Sequence, residues 1–565
     1  MNRSSEIEII LNNGINEGSA VLLTGETSDN FVQDGHLISL PSLISKFGAK
    51  KNMPALRFSL EKHVVWLQAP GVPEAGTIPR YTPRRPATEV FDDVFRTLDS
   101  DNPTPQPTIF IIDFAEALIL DNANPRPEED RIRQQILHRV YDPVFMKKKH
   151  LLVLISRVRP LDSAFTQMPG IIRYNISLPK QPERLSALEI MTASNTAPLI
   201  LADDLPPERL ARMSGGINLD AMSRMRHQTN NDNPLTRETV LALKKELINK
   251  QSGGTLTIHD EERDINSDIA GLAQLKLFIK NTKDEGVSTV RLLLLGPPGT
   301  GKTLCATAVA RELDTIPVSL AQVKSMWVGE SERHFRRAIE ILESNAPVTL
   351  ILDECDQLAM GSRSGPSAAL DSSSVDTSLR GMLLEWLGDV GANNGISIIA
   401  MSNNAEGVDP AFRDRLVTVP ILEACSPADK ARIAMIQLKR MGIAGDEDGI
   451  AKAFAESTRS FTGRQIVKML GKSARLAKQN SGGVVGYTEM KASIGGMLRS
   501  FDKREQLMSL MAVRFTDDID YLPWAAAKTM GDQTVGIPEY IRPYFSEDGM
   551  KCDEEKLEAY INKNR

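Results

Sequence analysis

Short, wholly apolar runs punctuate this chain, and several end on a polar or acidic residue. "IFIID" (109–113) and "TLILD" (349–353) are two of them. Four or five apolar or β-branched residues without polar alternation predict a strand buried on both faces of a parallel sheet. Further strands are expected at 292–295 ("LLLL") and 396–401 ("ISIIAM"). Elsewhere the period becomes helical. "FTGRQIVKMLGKSARLAKQ" (461–479) spaces its apolar residues for one helix face. Ser426-Pro427 offers an N-cap followed by proline at the first helical position. Strands alternating with helices predict an α/β fold on parallel sheets.

The segment between the strand at 292–295 and the Ala-rich helix that follows reads Gly296-Pro297-Pro298-Gly299-Thr300-Gly301-Lys302-Thr303. It fits the phosphate-loop pattern GxxxxGK[ST] in the required strand–loop–helix context. Glycines let backbone N–H groups turn inward around phosphates, and the helix adds its positive end. Lys302 reaches the β- and γ-phosphates, and the Thr303 hydroxyl is a ligand for Mg²⁺. Downstream, Asp353 and Glu354 sit at the carboxyl end of a strand, the edge at which open α/β sheets bind ligands. Asp353 is expected to hold Mg²⁺, and Glu354 to polarise the attacking water of ATP hydrolysis.

Composition narrows the remaining choices. A chain of 565 residues exceeds one core, and about 100–200 residues per domain predicts three or four units. The apolar share of 41% and charged share of 25% are those of an ordinary globular protein. A net charge of -6, with no recognisable DNA-binding motif, argues against a nucleic-acid partner. Four cysteines without a CxxC pair argue against structural zinc and fit a reducing compartment. No run approaches the roughly 18 apolar residues of a membrane span. The start "MNRSSEIEII" lacks the apolar core of a secretion signal. A cytoplasmic or plastid-stromal location is expected.

From about 268 to 477 the chain resembles an AAA+ ATPase, near the AAA clade proper. "MWVGESE" (326–332) is similar to that clade's first pore loop, which places Trp327, with Val328 beside it, in the central channel of a ring. The resemblance implies further roles. Asn403 takes the place of the sensor that orients water. Arg413 and Arg415, following "DPAF", resemble the finger that reaches a neighbour's γ-phosphate. Their spacing leaves both candidates open, with Arg415 preferred. Arg464 resembles the second sensor, in the lid. Asp268 and Gly271, in "SDIAGL", fall where the family approaches the base. The family's HExxH-bearing relatives degrade proteins with zinc; no HExxH occurs here.

The first half repeats the second. Laying 109–118 on 349–358 puts Asp113 on Asp353 and Glu116 on Asp356, but Phe114 on Glu354. Residues 153–165 follow 399–412, 181–191 follow 426–436, and 214–219 follow 461–466. Arg157 then stands for Asn403, Thr166 and Met168 for the two arginines, and Ile217 for Arg464. The segment 20–31 keeps a strand and Gly25 but has no lysine. Two tandem P-loop-type AAA+ modules are expected, the first degenerate. That arrangement is similar to plastid- and cyanobacterial-type AAA proteins of unassigned role. The expected divisions are a first module at 1–250 with its lid from about 180, a linker at 251–257, an ATPase core at 258–425, a lid at 426–500 and a tail at 501–565. Within the core, 360–375 reads as either a second pore loop or a surface insertion. The tail's Tyr521, Trp524, Tyr540 and Tyr544 are expected to pack on the ring or on a partner.

The resemblance implies a Mg-ATP hydrolase forming a homo-oligomeric ring, expected to be hexameric, that threads or remodels a protein substrate. An ATP-gated scaffold with slow turnover is the alternative, and a nucleic-acid remodeller a weaker one.

Overall fold

A computed structural model describes residues 2–59, 63–67, 87–99, 106–118, 127–140, 142–157, 169–195, 197–261, 263–284, 289–320, 330–356, 374–388, 395–457, 459–480, 482–497 and 501–564. Trp327, Val328, the stretch 360–373, Thr166 and Met168 lie outside them. The chain divides into two compact units, Met1–Val240 and Leu241–Arg565. Among the described residues no helix is long and apolar enough to cross a membrane.

The first unit is built on strands β1 (Ala20–Gly25), β4 (Ala55–Ser59), β5 (His63–Leu67), β6 (Ile109–Asp113), β7 (Leu151–Ile155) and β8 (Ile171–Ile176), with a hairpin of β2 (Asn30–Gln33) and β3 (His36–Ser39) beside them. Their order across the sheet is β5-β4-β6-β7-β1-β8, parallel except for the edge strand β5. Strands β6 and β7 are buried at every position, as expected of apolar runs covered on both faces. One face is filled by Phe58, Phe91, Phe95 and Phe110, whose rings meet edge-on or tilted at 4.6–5.8 Å.

The second unit uses β9 (Leu256–Ile258), β10 (Arg291–Leu295), β11 (Ile316–Leu320), β12 (Val348–Leu352), β13 (Ile396–Ser402) and β14 (Val417–Pro420). The order is β9-β11-β12-β13-β10-β14, with β9 the antiparallel edge. Numbered by place in the chain, the five parallel strands follow the same order in both units. The registers coincide as well. Ile112 pairs with Leu154, which pairs with Leu22; Leu352 pairs with Ala400, which pairs with Leu293. In each unit the first parallel strand lies between the fourth and fifth. That reversal of order opens a crevice at the strands' carboxyl ends.

After each sheet come helices. In the first unit these include Gln181–Thr192, Pro207–Met213 and Leu219–Met225. In the second, Pro427–Arg440, Glu447–Ala455, Gly463–Asn480 and Tyr487–Gly495 enclose Leu438, Phe454, Phe461, Ile466 and Leu470. Ser426 caps the first of these by accepting from the Asp429 N–H.

Regular elements enter the stretch 251–257 that was expected to be a linker. Helix Arg237–Ser252 runs into it, and β9 begins at Leu256. Lys244 on that helix donates to the Pro347 carbonyl at 2.7 Å, and β9 pairs with β11, so this backbone is bound into the second unit. Residues 253–255 separate the two elements. The tail packs on the second unit's own core. Tyr521 meets Phe278 at 5.8 Å, and the Tyr540 hydroxyl bonds to Glu423 at 2.9 Å.

A buried cation fastens the first unit. Arg3, 2% exposed, donates to Asp29 at 2.8 Å, to Glu183 at 3.0 Å, and to the Ser177 and Asn30 carbonyls. It thereby joins the first helix, the loop after β1 and the helix Gln181–Thr192. Removing one partner of a buried ion group strands the others without compensation, at a cost of about 3–5 kcal/mol. Arg3→Met is therefore expected to lower hydrogen-exchange protection of β1 by that order; unchanged protection would contradict this role for Arg3.

Candidate active site

Strand β10 stops at Leu295 and the helix Lys302–Glu312 begins seven residues later. The loop between them is shaped by its glycines. Gly299 has φ 84, and a Cβ there would lie 2.8 Å from the Cβ of Arg464. Gly301 ends the loop in the left-handed region and opens the helix. That helix buries small side chains, Cys305, Ala306, Ala308 and Ala310, which let it lie close on the sheet.

Lys302 is the hinge of the arrangement. Its ammonium donates to the carbonyls of Gly296 at 2.8 Å and Pro297 at 2.9 Å, and to Asn403 Oδ1 at 2.6 Å. Asn403 directly follows β13, so this bond ties two adjacent strand ends together. Burial pushes the Lys302 pKa down to about 8, against the attraction of Asp353. On the next strand end, the Glu354 N–H donates to Asp353 Oδ1 at 2.9 Å, which holds Glu354 at φ 48. A non-glycine residue in that region carries backbone strain, which surrounding structure must hold. Asp353 and Glu354 are both exposed. Behind them Asp356 accepts from Ser402 Oγ at 2.6 Å.

These groups line one cavity of about 710 Å³, together with Thr300, Thr303, Arg464, Asp268 and Gly271. The Arg464 N–H bonds to the Gly299 carbonyl at 3.1 Å, so the helical region touches the loop directly. Asp268 accepts from Arg440 Nη2 at 2.8 Å, a second tie between core and helices. Arg413 and Arg415 are elsewhere, on a surface with Phe278, Arg291 and Asp517. Arg413 stacks over the Phe515 ring at 4.2 Å, while Arg415 is exposed and bonds to the Ala411 carbonyl. The residues that motif reasoning missed come from the tail: Pro523, Ala527, Met530, Asp532 and Val535 line the cavity too. Nothing in "PWAAAKTMGDQTV" marks it as a site.

The corresponding corner of the first unit has the same backbone and different chemistry. Phe114 has φ 55, and its N–H donates to Asp113 Oδ1 at 3.1 Å, as Glu354 does to Asp353. Asp113, however, is 1% exposed and sealed under two guanidinium groups. Arg157 donates to it through Nε at 2.5 Å, and Arg57 donates from β4. Burial alone would raise the Asp113 carboxyl; the bonds and charge of Arg157 and Arg57 outweigh it and hold it below the usual range. Arg157 also reaches the Thr27 carbonyl at 3.1 Å, in the loop after β1, and lies over the Phe114 ring at 5.1 Å. Glu26 and Asp29 of that loop accept from Asn218 Nδ2 and the Asp220 N–H, at 3.0 and 2.7 Å. Protein groups thus fill the place that the second unit leaves open.

Residues 292–421 match the family model "ATPase family associated with various cellular activities (AAA)". Over 261 residues the chain is 30% identical to the ATP-dependent zinc metalloprotease FtsH of Synechococcus sp. (strain JA-2-3B'a(2-13)), covering 43% of this chain and 40% of that protein. It is 32% identical over 190 residues to the cell division cycle protein 48 homolog of Archaeoglobus fulgidus, covering 32% of this chain and 24% of that one. FtsH of Caulobacter vibrioides is 30% identical over 224 residues, 38% of this chain and 34% of that one. The chain spans less than half the length of these relatives. Among the described residues no group of three or more His, Cys, Asp or Glu is placed to hold a metal ion.

The lowered pKa of Lys302 gives a pH signature. Polyphosphate binds the charged ammonium, so binding above pH 8 requires proton uptake at Lys302. ADP affinity, read by calorimetry, is expected to be flat below about pH 7 and to weaken through pH 8–9 by up to about tenfold per unit. Lys302→Arg should flatten the profile, and a wild-type affinity that holds to pH 9 would contradict it.

Proposed function

This chain carries an ATPase domain of the AAA family, and on that premise we propose that it hydrolyses Mg-ATP within a homo-oligomeric ring and uses the turnover to remodel a protein substrate. The observation that carries this reading is the convergence of Lys302, Asn403, Asp353 and Glu354 on one cavity at the carboxyl ends of β10, β12 and β13.

The residues present suit the substrate. A phosphate oxygen is a stronger partner for Lys302 than the neutral carbonyls and amide it now holds, because both partners of the new bond are charged. Transfer of the ammonium to phosphate frees the Asn403 amide to orient a water molecule. Glu354, projected from the strand end by its left-handed backbone, accepts that water's proton as it attacks. Arg464 reports the γ-phosphate to the helical region, since its own N–H is bonded to the loop. The Thr303 hydroxyl and Asp353 carboxylate line the same cavity and are the hard oxygen donors that Mg²⁺ prefers. With Mg²⁺ held there by Thr303 and Asp353, the ion would supply neutralisation of phosphate charge.

Arg415 is the residue offered to a neighbouring subunit. It is exposed and its guanidinium donates to the Ala411 carbonyl of its own turn, whereas Arg413 is engaged by Phe515. Trp327 remains the proposed contact with substrate. The first unit is read as an AAA fold that has kept its framework and given up nucleotide. The shared strand order, register and left-handed residue support that reading, as does the Arg157–Asp113 pair in the corner where phosphate would sit.

Glu354→Gln is expected to lower ATP turnover by about 10²–10⁴, and Arg415→Ala by about 10³ or more. Wild-type turnover per chain should rise with protein concentration as particles assemble, followed by mass photometry on the same samples. A monomer with concentration-independent turnover would sink the interface mechanism.

A further inference from the structure

The tail does more than cover the second unit. Helix Pro523–Thr529 packs on helix Ala273–Asp284, which directly follows the segment 268–272. It is held from behind by Trp524, whose Nε1–H donates to the Gly549 carbonyl at 3.1 Å and whose ring meets Phe545 at 5.2 Å. Tyr540 bonds to both oxygens of Glu423, at 2.9 and 3.0 Å, where the core chain turns into the helical region. Asp517 accepts from the Thr418 N–H at 2.6 Å on edge strand β14. Three fastenings, at Asp517, Tyr521 and Tyr540, fix the tail to the rest of the unit, and Trp524 ties the tail to itself.

Apart from Asp532, what the tail presents to the cavity is apolar. Ala527 is buried, but Met530 keeps 48% of its surface exposed while lining the cavity. Asp532, two residues on, acts electrostatically on Asp429, and the Asp429 carboxyl carbon lies 3.2 Å from where a Cβ of Gly271 would be. Ile269, Ile433 and Ile436 line the same cavity. Apolar side chains in a cavity that also carries charged groups suit a ligand with a flat aromatic part.

We propose that the C-terminal tail forms one wall of the nucleobase site, with Met530 covering a face of the base of a nucleoside di- or triphosphate. This rests on the reading of the loop at 296–303 as the phosphate site. It gives the tail a binding role and divides the ligand between two parts of the chain. The loop and strand ends hold the phosphates, and the tail with the 268–272 segment holds the base.

The test uses the full-length chain and two probes, ADP and inorganic tripolyphosphate, by calorimetry. Met530 is half exposed, so its truncation spares the core. Met530→Ser is expected to weaken ADP about tenfold through lost apolar contact, and to leave tripolyphosphate unchanged. Met530→Leu, which keeps the apolar wall, should bind ADP as wild type does. Lys302→Ala should weaken both probes. If Met530→Ser binds ADP like wild type while Lys302→Ala loses both probes, the tail wall is wrong and the phosphate site stands. Equal weakening of both probes by Met530→Ser would mean general distortion and would also overturn the proposal. A wild-type chain that binds neither probe would overturn the nucleotide reading and the wall with it.

Discussion

A buried ammonium must find acceptors, and the second unit is organised around the three that Lys302 finds. Two are carbonyls of its own loop and one is the Asn403 amide. The bonds are possible only because β10 lies next to β13, which places the ends of those strands side by side. β12 lies next again, and its carboxylates complete the crevice. Strand order, loop shape and the electrostatics of one side chain are thus a single constraint. Burial keeps the cost of that charge high, and charge on an incoming phosphate offsets it.

The first unit meets the same constraint differently. Its loop after β1 brings no lysine, and the cation comes instead from Arg157, at the end of β7. Arg157 pairs with Asp113 and the loop carbonyl at once, and Arg57 shares the same carboxylate. Asn218 and Asp220 bind the same loop from the helical side. In the second unit that connection is one backbone bond, from Arg464 to Gly299, over an open cavity. On the proposed reading, one unit holds a fixed geometry while the other can change with its ligand.

Much of this was legible in the chain because phosphate chemistry leaves little choice of residue. Gly299, Gly301, Lys302, Asp353 and Glu354 are dictated by φ, charge and position at a strand end. The buried strands were legible because runs such as 109–113 suit little else. Three features were not. Arg157 read as the loss of an asparagine, since the ion pair that gives it meaning joins residues 44 apart. The expected linker at 251–257 takes in the end of helix Arg237–Ser252 and the start of β9, which its glycines and serine masked. The cavity lining at Ala527 and Met530 had no signature at all, because apolar lining is set by shape, and shape leaves no motif.

The most direct test of one site in two similar units is the number of nucleotides bound per chain, by native mass spectrometry of the full-length protein with excess ADP. The account predicts one ADP per chain, lost in Lys302→Ala. Two per chain, or one that survives Lys302→Ala, would contradict it and move the binding site to the first unit.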